Sequence, residues 1–143
     1  MVSKKDGIAM LRGVPMFTDV SQKDLGKVWS HVKVVDHAAG SKIVSEARGG
    51  AGFHLILAGE VEVSRRGKKV TLGVGQFFGE ISLIDDGPRT ATVTAVTSVQ
   101  VATISAWEFK SVVKSTPDMM WKLLLHMTAR LREEQSVVAS LTA

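Results

Sequence analysis

Two oppositely charged residues flank one short, glycine-opened segment of this 143-residue chain. Glu80 directly follows Gly79, and Arg89 lies nine residues after Glu80, beyond the breaker Asp85-Asp86-Gly87-Pro88. Arginine carries a planar, permanent charge that matches the oxygens of a phosphate group, and a turn that begins at a glycine can aim backbone N–H groups at the same anion. An ionised glutamate only accepts hydrogen bonds, so it suits a hydroxyl and repels a phosphate. The spacing predicts a site for one small ligand with an anion at one end and a hydroxyl at the other.

Small residues end the same segment, where backbone would have to come close to a ligand. Thr90 and Ala91 follow Arg89 directly. A surface ion pair between Glu80 and Arg89 is the competing interpretation, and such a pair contributes little to stability. The binding interpretation is favoured because Gly79 and Ala91, on the two sides of the turn, are both small and allow the backbone to approach a ligand.

The segment QFFGEISLIDDGPRTATV (76–93) resembles the phosphate-binding cassette of cyclic nucleotide-binding domains. That family includes catabolite activator proteins, kinase regulatory subunits and nucleotide-gated channel sensors. Its cassette follows the pattern F-G-E-x-x-L and then, after a few variable residues, P-R-T/S/A-A-T/S-V, and every element of the pattern is present here. The flanks are similar as well: 11–25 resembles the family's entry helix, 53–63 its central hairpin and 104–134 its two closing helices.

The resemblance implies a role for each cassette residue. Arg89 would bind the exocyclic phosphate oxygens, Glu80 the ribose 2′-hydroxyl, and Thr90 would lie beside the phosphate. Backbone contacts would come from Gly79, Ile81, Ser82 and Ala91. The ligand would be a 3′,5′-cyclic mononucleotide, cAMP in preference to cGMP, with no other cofactor. Its phosphodiester carries one negative charge, which one arginine balances, whereas a linear mononucleotide would leave unmatched polar groups that are costly to bury.

Weaker candidates lie around the cassette. A buried guanidinium needs a carboxylate, so Glu62 or Glu60 on the preceding hairpin could hold Arg89, although a solvent-facing strand glutamate is an equally good interpretation. The family's lid is its final helix, where Arg130 would stack on the purine or else remain an exposed helix residue. The candidate walls of the base pocket, each of them equally a candidate core residue, are Val70, Leu72, Ile81 and Leu83.

The chain divides into three parts that together predict a single domain over residues 1–143. Residues 8–32 have a helical pattern, 34–104 consist of short strands rich in Val, Thr and Ile, and 105–140 are helical again. The cassette, at 77–93, lies inside the β part. Many short alternating strands predict a mainly β fold: an antiparallel β-roll, or jelly-roll-like barrel, with N-terminal helices and two C-terminal helices.

Helix signals support these boundaries. Ser21 with Asp24, and Ser105 with Glu108, have the spacing of an N-cap and its third helical residue. The last helix is expected to start at Pro117. One apolar face of that helix is marked by Met120, Leu123, Leu124, Met127 and Leu131. Together with the resemblance, this face predicts a second copy of the chain or an effector protein as partner. The three tryptophans, Trp29, Trp107 and Trp121, are expected to pack helices against the barrel.

Composition weighs against several other classes of protein. The chain has no cysteine, which excludes a disulfide scaffold and fits a reducing cytoplasm, where we expect the protein to act. No apolar run approaches a membrane span, and no signal-peptide core follows MVSKKDG. The net charge of +4 is modest, and the basic residues are scattered along the sequence, so no nucleic-acid partner is expected. They include Lys4, Lys5, Lys68, Lys69, Arg130 and Arg132.

Two alternative functions stay open beside the resemblance. One is a metal enzyme on the same barrel, of the cupin type, but the four histidines are isolated and no H-x-H pair exists, so no metal site is expected. The other is a scaffold that keeps the cassette shape and has lost its ligand. The favoured hypothesis is a non-catalytic sensor in which the bound anion orders the cassette and the final helix moves to cover the base.

Overall fold

A computed structural model describes residues 2–44, 52–85 and 91–142. Within them the helices are α1 (Lys4–Arg12), α2 (Gln22–Ser30), α3 (Glu80–Asp85), α4 (Ala106–Lys114) and α5 (Pro117–Thr142), and a 3₁₀ turn spans Pro15–Phe17. The strands are β1 (Lys33–His37), β2 (Lys42–Val44), β3 (Gly52–Ala58), β4 (Val61–Arg65), β5 (Lys68–Leu72), β6 (Phe77–Phe78), β7 (Thr92–Ala95) and β8 (Val99–Ser105). The predicted mainly β fold with helices at both ends is confirmed.

The strands form two four-stranded antiparallel sheets. The first sheet has the order β1-β8-β3-β6 and the second has the order β2-β7-β4-β5. β3 lies inside the first sheet and is buried from Gly52 to Ile56, which suits its nearly continuous apolar sequence. In the second sheet β4 pairs with both β5 and β7. It therefore lies between β5, which is an edge strand, and β7, which follows the cassette.

The larger core cluster joins the first sheet to the helices. Phe17 of the 3₁₀ turn is fully buried at its centre. Its ring meets Phe53 of β3 at 5.9 Å and Phe109 of α4 at 6.0 Å, both edge to face, an arrangement that aromatic quadrupoles favour. The N-terminal helical region contributes to this cluster, and so do α3 and α5, through Ile8, Leu11, Val14, Leu83, Met119 and Leu123.

A smaller core cluster lies between the two sheets. Its buried members are Ile56, Val61, Phe78, Val93, Ala95, Val99 and Val101. His54, next to this region on β3, is buried, stacks on Phe78 with ring centroids 4.7 Å apart, and has Nδ1 2.9 Å from Thr103 Oγ1. This histidine is therefore part of the packing of β3, in agreement with its isolation in the sequence.

The predicted helix starts are present in the structure. The Ser21 hydroxyl accepts from the Asp24 backbone N–H at 3.1 Å. Ser105 accepts from the Glu108 N–H and donates to the Glu108 carboxylate, both at 3.1 Å. These side chains satisfy helix N–H groups that have no acceptor within the helix, and they fix where α2 and α4 begin.

Up to residue 138 the last helix, α5, has fully buried side chains only in its first turns. Met119 and Leu123 are buried, whereas residues 128–138 are exposed throughout. The single apolar face predicted for this helix is therefore divided, because Leu124 and Leu131 are each 57% exposed. The prediction of packing for the tryptophans is wrong at two of three positions: Trp107 is 81% exposed and Trp121 is 61% exposed. Only Trp29 packs against the larger core.

Candidate ligand-binding site

The cassette begins at a backbone conformation that only glycine adopts readily. Gly79 has φ of +88° and stands between the end of β6 and the start of α3. A side chain would strain this left-handed conformation. The Leu83 N–H donates to the Gly79 carbonyl oxygen at 3.1 Å, which closes the first turn of α3. The Glu80, Ile81 and Ser82 N–H groups come before this first helical bond, and such groups have no acceptor inside their own helix.

The cassette ends where the second sheet resumes. Ala91 is half-buried and leads into β7, whose first residue, Thr92, pairs with Ser64 of β4. Arg89 and Thr90 lie outside the described residues, so their predicted contacts with the phosphate remain predictions. The register of β7 ties the chain that follows Arg89 to the β4–β5 hairpin.

A cleft of about 370 Å³ brings Glu80 and Arg130 to one site. Its apolar side comes from the 3₁₀ turn region and β6, and its polar side comes from α3 and α5. The lining residues are Val14, Pro15, Met16, Phe77, Glu80, His126, Ala129, Arg130 and Glu133. No ion pair joins Glu80 to Arg130 among the described residues. Glu80 and Arg130 therefore line one cavity, of a size that suits a small ligand, without an ion pair between them.

Sequence reasoning did not identify the other polar residues of this cleft. His126 and Glu133 lie on the same side of α5 as Arg130, at positions four before it and three after it. Residues three and four apart are neighbours on a helix surface. Helical spacing relative to Arg130 was the signal that could have found them once Arg130 was a lid candidate.

Glu62, the candidate support for Arg89, has a different partner among the described residues. Its Oε1 lies 3.7 Å from Lys69 Nζ across the β4–β5 hairpin. Both side chains are substantially exposed, so this pair adds little to stability. The support of Arg89 by Glu62 stays a prediction.

The candidate base-pocket residues are not all brought together. Val70 is 57% exposed on β5, and Leu72 is half-buried against the smaller core cluster. Leu83 is buried in the larger cluster, on the side of α3 that faces β3 and α4. Val70 and Leu72 share a face of β5 because strand side chains alternate, whereas Leu83 belongs to a separate environment. The base contact proposed for each residue remains a prediction.

A second cavity, of about 330 Å³, is an apolar groove between α3, α4 and α5. Its lining is almost entirely hydrocarbon and consists of Leu83, Ile84, Phe109, Lys110, Val113, Met120, Leu123, Leu124 and Met127. The groove shares Leu83 with the larger core. It therefore connects the cassette helix with the last helix.

In residues 2–44, 52–85 and 91–142 no three His, Asp or Glu side chains are grouped so that they could hold a metal ion. None of the helices in that part of the chain combines the length and the apolar character that crossing a membrane requires.

Two antiparallel sheets, a glycine-opened turn and short helix between two of their strands, and a long helix beside that turn define a β-roll binding module. The chain belongs to the cyclic nucleotide-binding domain family, whose sequence profile it matches over residues 34–116. The structure is similar to the N-terminal domain of a transcriptional regulator from Streptomyces coelicolor, with a TM-score of 0.81 and 26% identity over 89% of this chain and 95% of that one.

Two sequence relatives show the range of proteins that carry such a domain. The cAMP-dependent protein kinase regulatory subunit of Eremothecium gossypii is 38% identical over 70% of this chain, which corresponds to 22% of that protein. The CRP-like cAMP-activated global transcriptional regulator of Mycobacterium tuberculosis is 26% identical over 88% of this chain and 59% of that protein. The chain thus spans about a fifth of the first relative and about three fifths of the second.

Proposed function

We propose that residues 1–143 act as one non-catalytic sensor domain that binds a 3′,5′-cyclic mononucleotide, cAMP in preference to cGMP, in the cytoplasm. The observation that carries this proposal is the cassette, in which Gly79 turns the chain so that Glu80 enters a ligand-sized cleft. The family match supports the cyclic nucleotide, and the names of the two relatives support cAMP.

The ligand is proposed to be recognised at both ends, at its ribose and at its phosphate. Glu80 accepts from the ribose 2′-hydroxyl, which is the only free ribose hydroxyl of a 3′,5′-cyclic nucleotide, and Arg89 binds the phosphate oxygens. Backbone N–H groups at the start of α3 add donors for the same anion. Arg130 reaches the base from α5, an assignment supported by its position in the cleft with Glu80.

The signal is proposed to pass from the cassette to α5 through the core. Leu83 of α3 packs in the same cluster as Phe109 of α4 and Met119 of α5. A change in the angle of α3 would alter those contacts, and densely packed cores respond by switching between discrete arrangements. The nucleotide drives the change only if it binds the covered state more tightly than the open one.

The direct test of ligand binding is calorimetric titration of the protein with cAMP and with cGMP, after any co-purified nucleotide has been removed. Denaturing a freshly purified sample and identifying released nucleotide by mass tests the same proposal without assuming a ligand. If neither nucleotide binds and none is released, the domain is a scaffold with the cassette shape only, and the proposed function is wrong.

Glu80 is expected to account for recognition of the ribose hydroxyl. Wild-type protein should bind cAMP roughly ten- to a hundredfold more tightly than 2′-deoxy-cAMP, because a hydrogen bond to a charged group contributes about 1.5–3 kcal/mol. The Glu80→Ala variant should lose this preference and bind the two nucleotides about equally. Calorimetric titration of wild type and variant with each nucleotide gives the affinities that are compared. Glu133→Ala, which changes another carboxylate of the same cleft, is the matched control and should keep the preference. Equal binding of the two nucleotides by wild-type protein would contradict the role of Glu80.

The exposed side of α5 is proposed to bind a second copy of the chain. Apolar residues recur along α5 at alternating intervals of four and three: Met120, Leu124, Leu131 and Val138 are exposed, and Met127 is half-buried against the larger core. Glu134 occupies the remaining position. This spacing is the heptad pattern of coiled coils. The first three residues of this seam, Met120, Leu124 and Met127, also line the apolar groove. The helix that carries the seam is roughly 39 Å long at 1.5 Å per residue.

Leu131→Glu is expected to convert a dimer to a monomer, because two carboxylates would face each other in an apolar seam. Light scattering coupled to gel filtration measures the mass directly. Ser136→Glu, on an exposed position about 140° around the helix from Leu131, is the control and should remain dimeric. A monomeric wild-type protein at every concentration tested would remove the second copy as partner.

A further inference from the structure

The tip of the β4–β5 hairpin concentrates positive charge. Arg65, Arg66, Lys68 and Lys69 occupy four of five consecutive positions, and all four are exposed. Arg66 and Gly67 have φ of +51° and +76°, as in the tight turns that suit hairpins. Lys68 and Lys69 are therefore not scattered as predicted, because they follow Arg65 and Arg66 in the sequence and share one hairpin turn with them. We call these four residues the cationic tip.

The arrangement of the cationic tip is unfavourable for the folded chain by itself. Arg65 and Lys68 are directly paired across the two strands, and like charges in that position destabilise a hairpin. Lys69 reaches Glu62 at 3.7 Å. Among the described residues no carboxylate lies within salt-bridge distance of the other three cations. Like charges are thus paired across two strands with no carboxylate nearby, in the described part of the chain, to offset their repulsion. An unfavourable arrangement of this kind indicates a functional role for the residues that form it.

The sheet register places the cationic tip beside the end of the cassette. Thr92 pairs with Ser64, and the same antiparallel register continued by one residue brings Ala91 level with Arg65. Arg89 precedes Ala91 by two residues. The cationic tip therefore lies at the same end of the second sheet as Ala91 and Thr92, which are the described residues that follow the proposed phosphate-binding arginine.

We propose that the cationic tip is an electrostatic guide that raises the rate at which the anionic nucleotide enters the site. This inference rests on the proposed function, because it takes a cyclic nucleotide as the ligand. A unit positive charge about 10 Å from a monoanion in water of low salt raises the local concentration of that anion about twofold. Three unpaired cations together raise it several-fold, and the effect falls as salt shortens the screening length from about 30 Å at 0.01 M to about 8 Å at 0.15 M.

The test is a stopped-flow measurement of association and dissociation rates with an 8-substituted cAMP analogue that carries an uncharged fluorophore. The test variant is the triple substitution Arg65→Gln, Arg66→Gln, Lys68→Gln. Its association rate constant should be roughly three- to tenfold lower than that of wild type at about 0.01 M ionic strength and within about twofold at 0.5 M. The dissociation rate constant should be unchanged.

The control removes the same number of positive charges from exposed positions on α1 and α2: Lys5→Gln, Lys23→Gln, Lys27→Gln. The inference is supported if this control has the association rate constant of wild type and only the tip variant has a lower one. Equal losses in the two variants would mean that only net charge matters, and the inference would be wrong.

Two other outcomes would overturn the inference for different reasons. Faster dissociation of the tip variant with unchanged association would mean that the tip touches the bound nucleotide and does not guide it. Binding of cAMP by wild type with no effect of the tip variant on either rate would remove the guide and leave the proposed function intact. Absence of binding by wild type would instead overturn the proposed function and this inference with it.

Discussion

Arg89→Ala should weaken cAMP binding by about 2–5 kcal/mol, roughly thirtyfold to several thousandfold in affinity. The reason is that the phosphodiester keeps its negative charge on binding, and removing its only proposed cationic partner leaves that charge desolvated and unpaired. The backbone N–H groups that follow Gly79 would remain as donors, so some affinity should survive. Calorimetric titration of wild type and variant with cAMP gives the ratio.

A second arginine substitution separates the loss of the phosphate partner from a general loss of positive charge. Arg132 is exposed on α5 and lies outside the residues that line the cleft, so Arg132→Ala should bind within about twofold of wild type. Affinity of Arg89→Ala within about threefold of wild type would show that the phosphate is held elsewhere and would refute the role given to Arg89.

Phe17→Ala should lower the free energy of unfolding by about 3–5 kcal/mol, which is a large part of the stability of an ordinary domain. Phe17 is fully buried and meets Phe53 and Phe109 edge to face. The truncation leaves a cavity between the first sheet, the 3₁₀ turn and α4 that rigid neighbours fill only in part. Urea unfolding followed by circular dichroism gives the difference from wild type.

An aromatic residue of the opposite exposure provides the comparison for Phe17. Trp107 is 81% exposed on α4, so Trp107→Ala should change the free energy of unfolding by no more than about 0.5 kcal/mol. A loss below about 1 kcal/mol in Phe17→Ala would mean that the 3₁₀ turn is not part of the core.

Local signals were sufficient to predict most of the fold. The caps at Ser21 and Ser105 depend on residues three apart, and the alternation in β4 and β7 depends on neighbours two apart, so each is complete within a short window. β6 was not identified, because two residues carry no periodicity. It exists through pairing of Phe77 and Phe78 with β3, a contact that no local pattern encodes.

β1 shows a different limit of sequence reasoning. The sequence places this region in the β part but does not predict the strand itself, because Val34 and Val35 are adjacent and show no alternation. In the structure they are 41% and 37% exposed. Pairing with β8 along its whole length defines it. Strand preference depends on the neighbours that a strand acquires, and those neighbours are distant in the sequence.

The division of the α5 face has a geometric cause. A period near 3.6 identifies an apolar stripe but does not say which part of a long helix will meet the body of the protein. Met119 and Leu123 meet the core, while Leu131 lies beyond it. The position of Arg130 shows the same limit. The family resemblance makes Arg130 a candidate lid residue, but its place in one cleft with Glu80 depends on how α5 crosses the 3₁₀ turn.

The three tryptophans differ in solvent exposure, so their intrinsic fluorescence can report on changes in this domain. Trp29 is wedged so closely against Gly7 that a Cβ on that glycine would lie 2.4 Å from the indole ring, whereas Trp121 is 61% exposed on α5. Emission from Trp29 should report on the N-terminal helices and stay constant. Emission from Trp121 should shift toward shorter wavelength when α5 is covered, so that closure or association can be followed spectroscopically without attaching any dye.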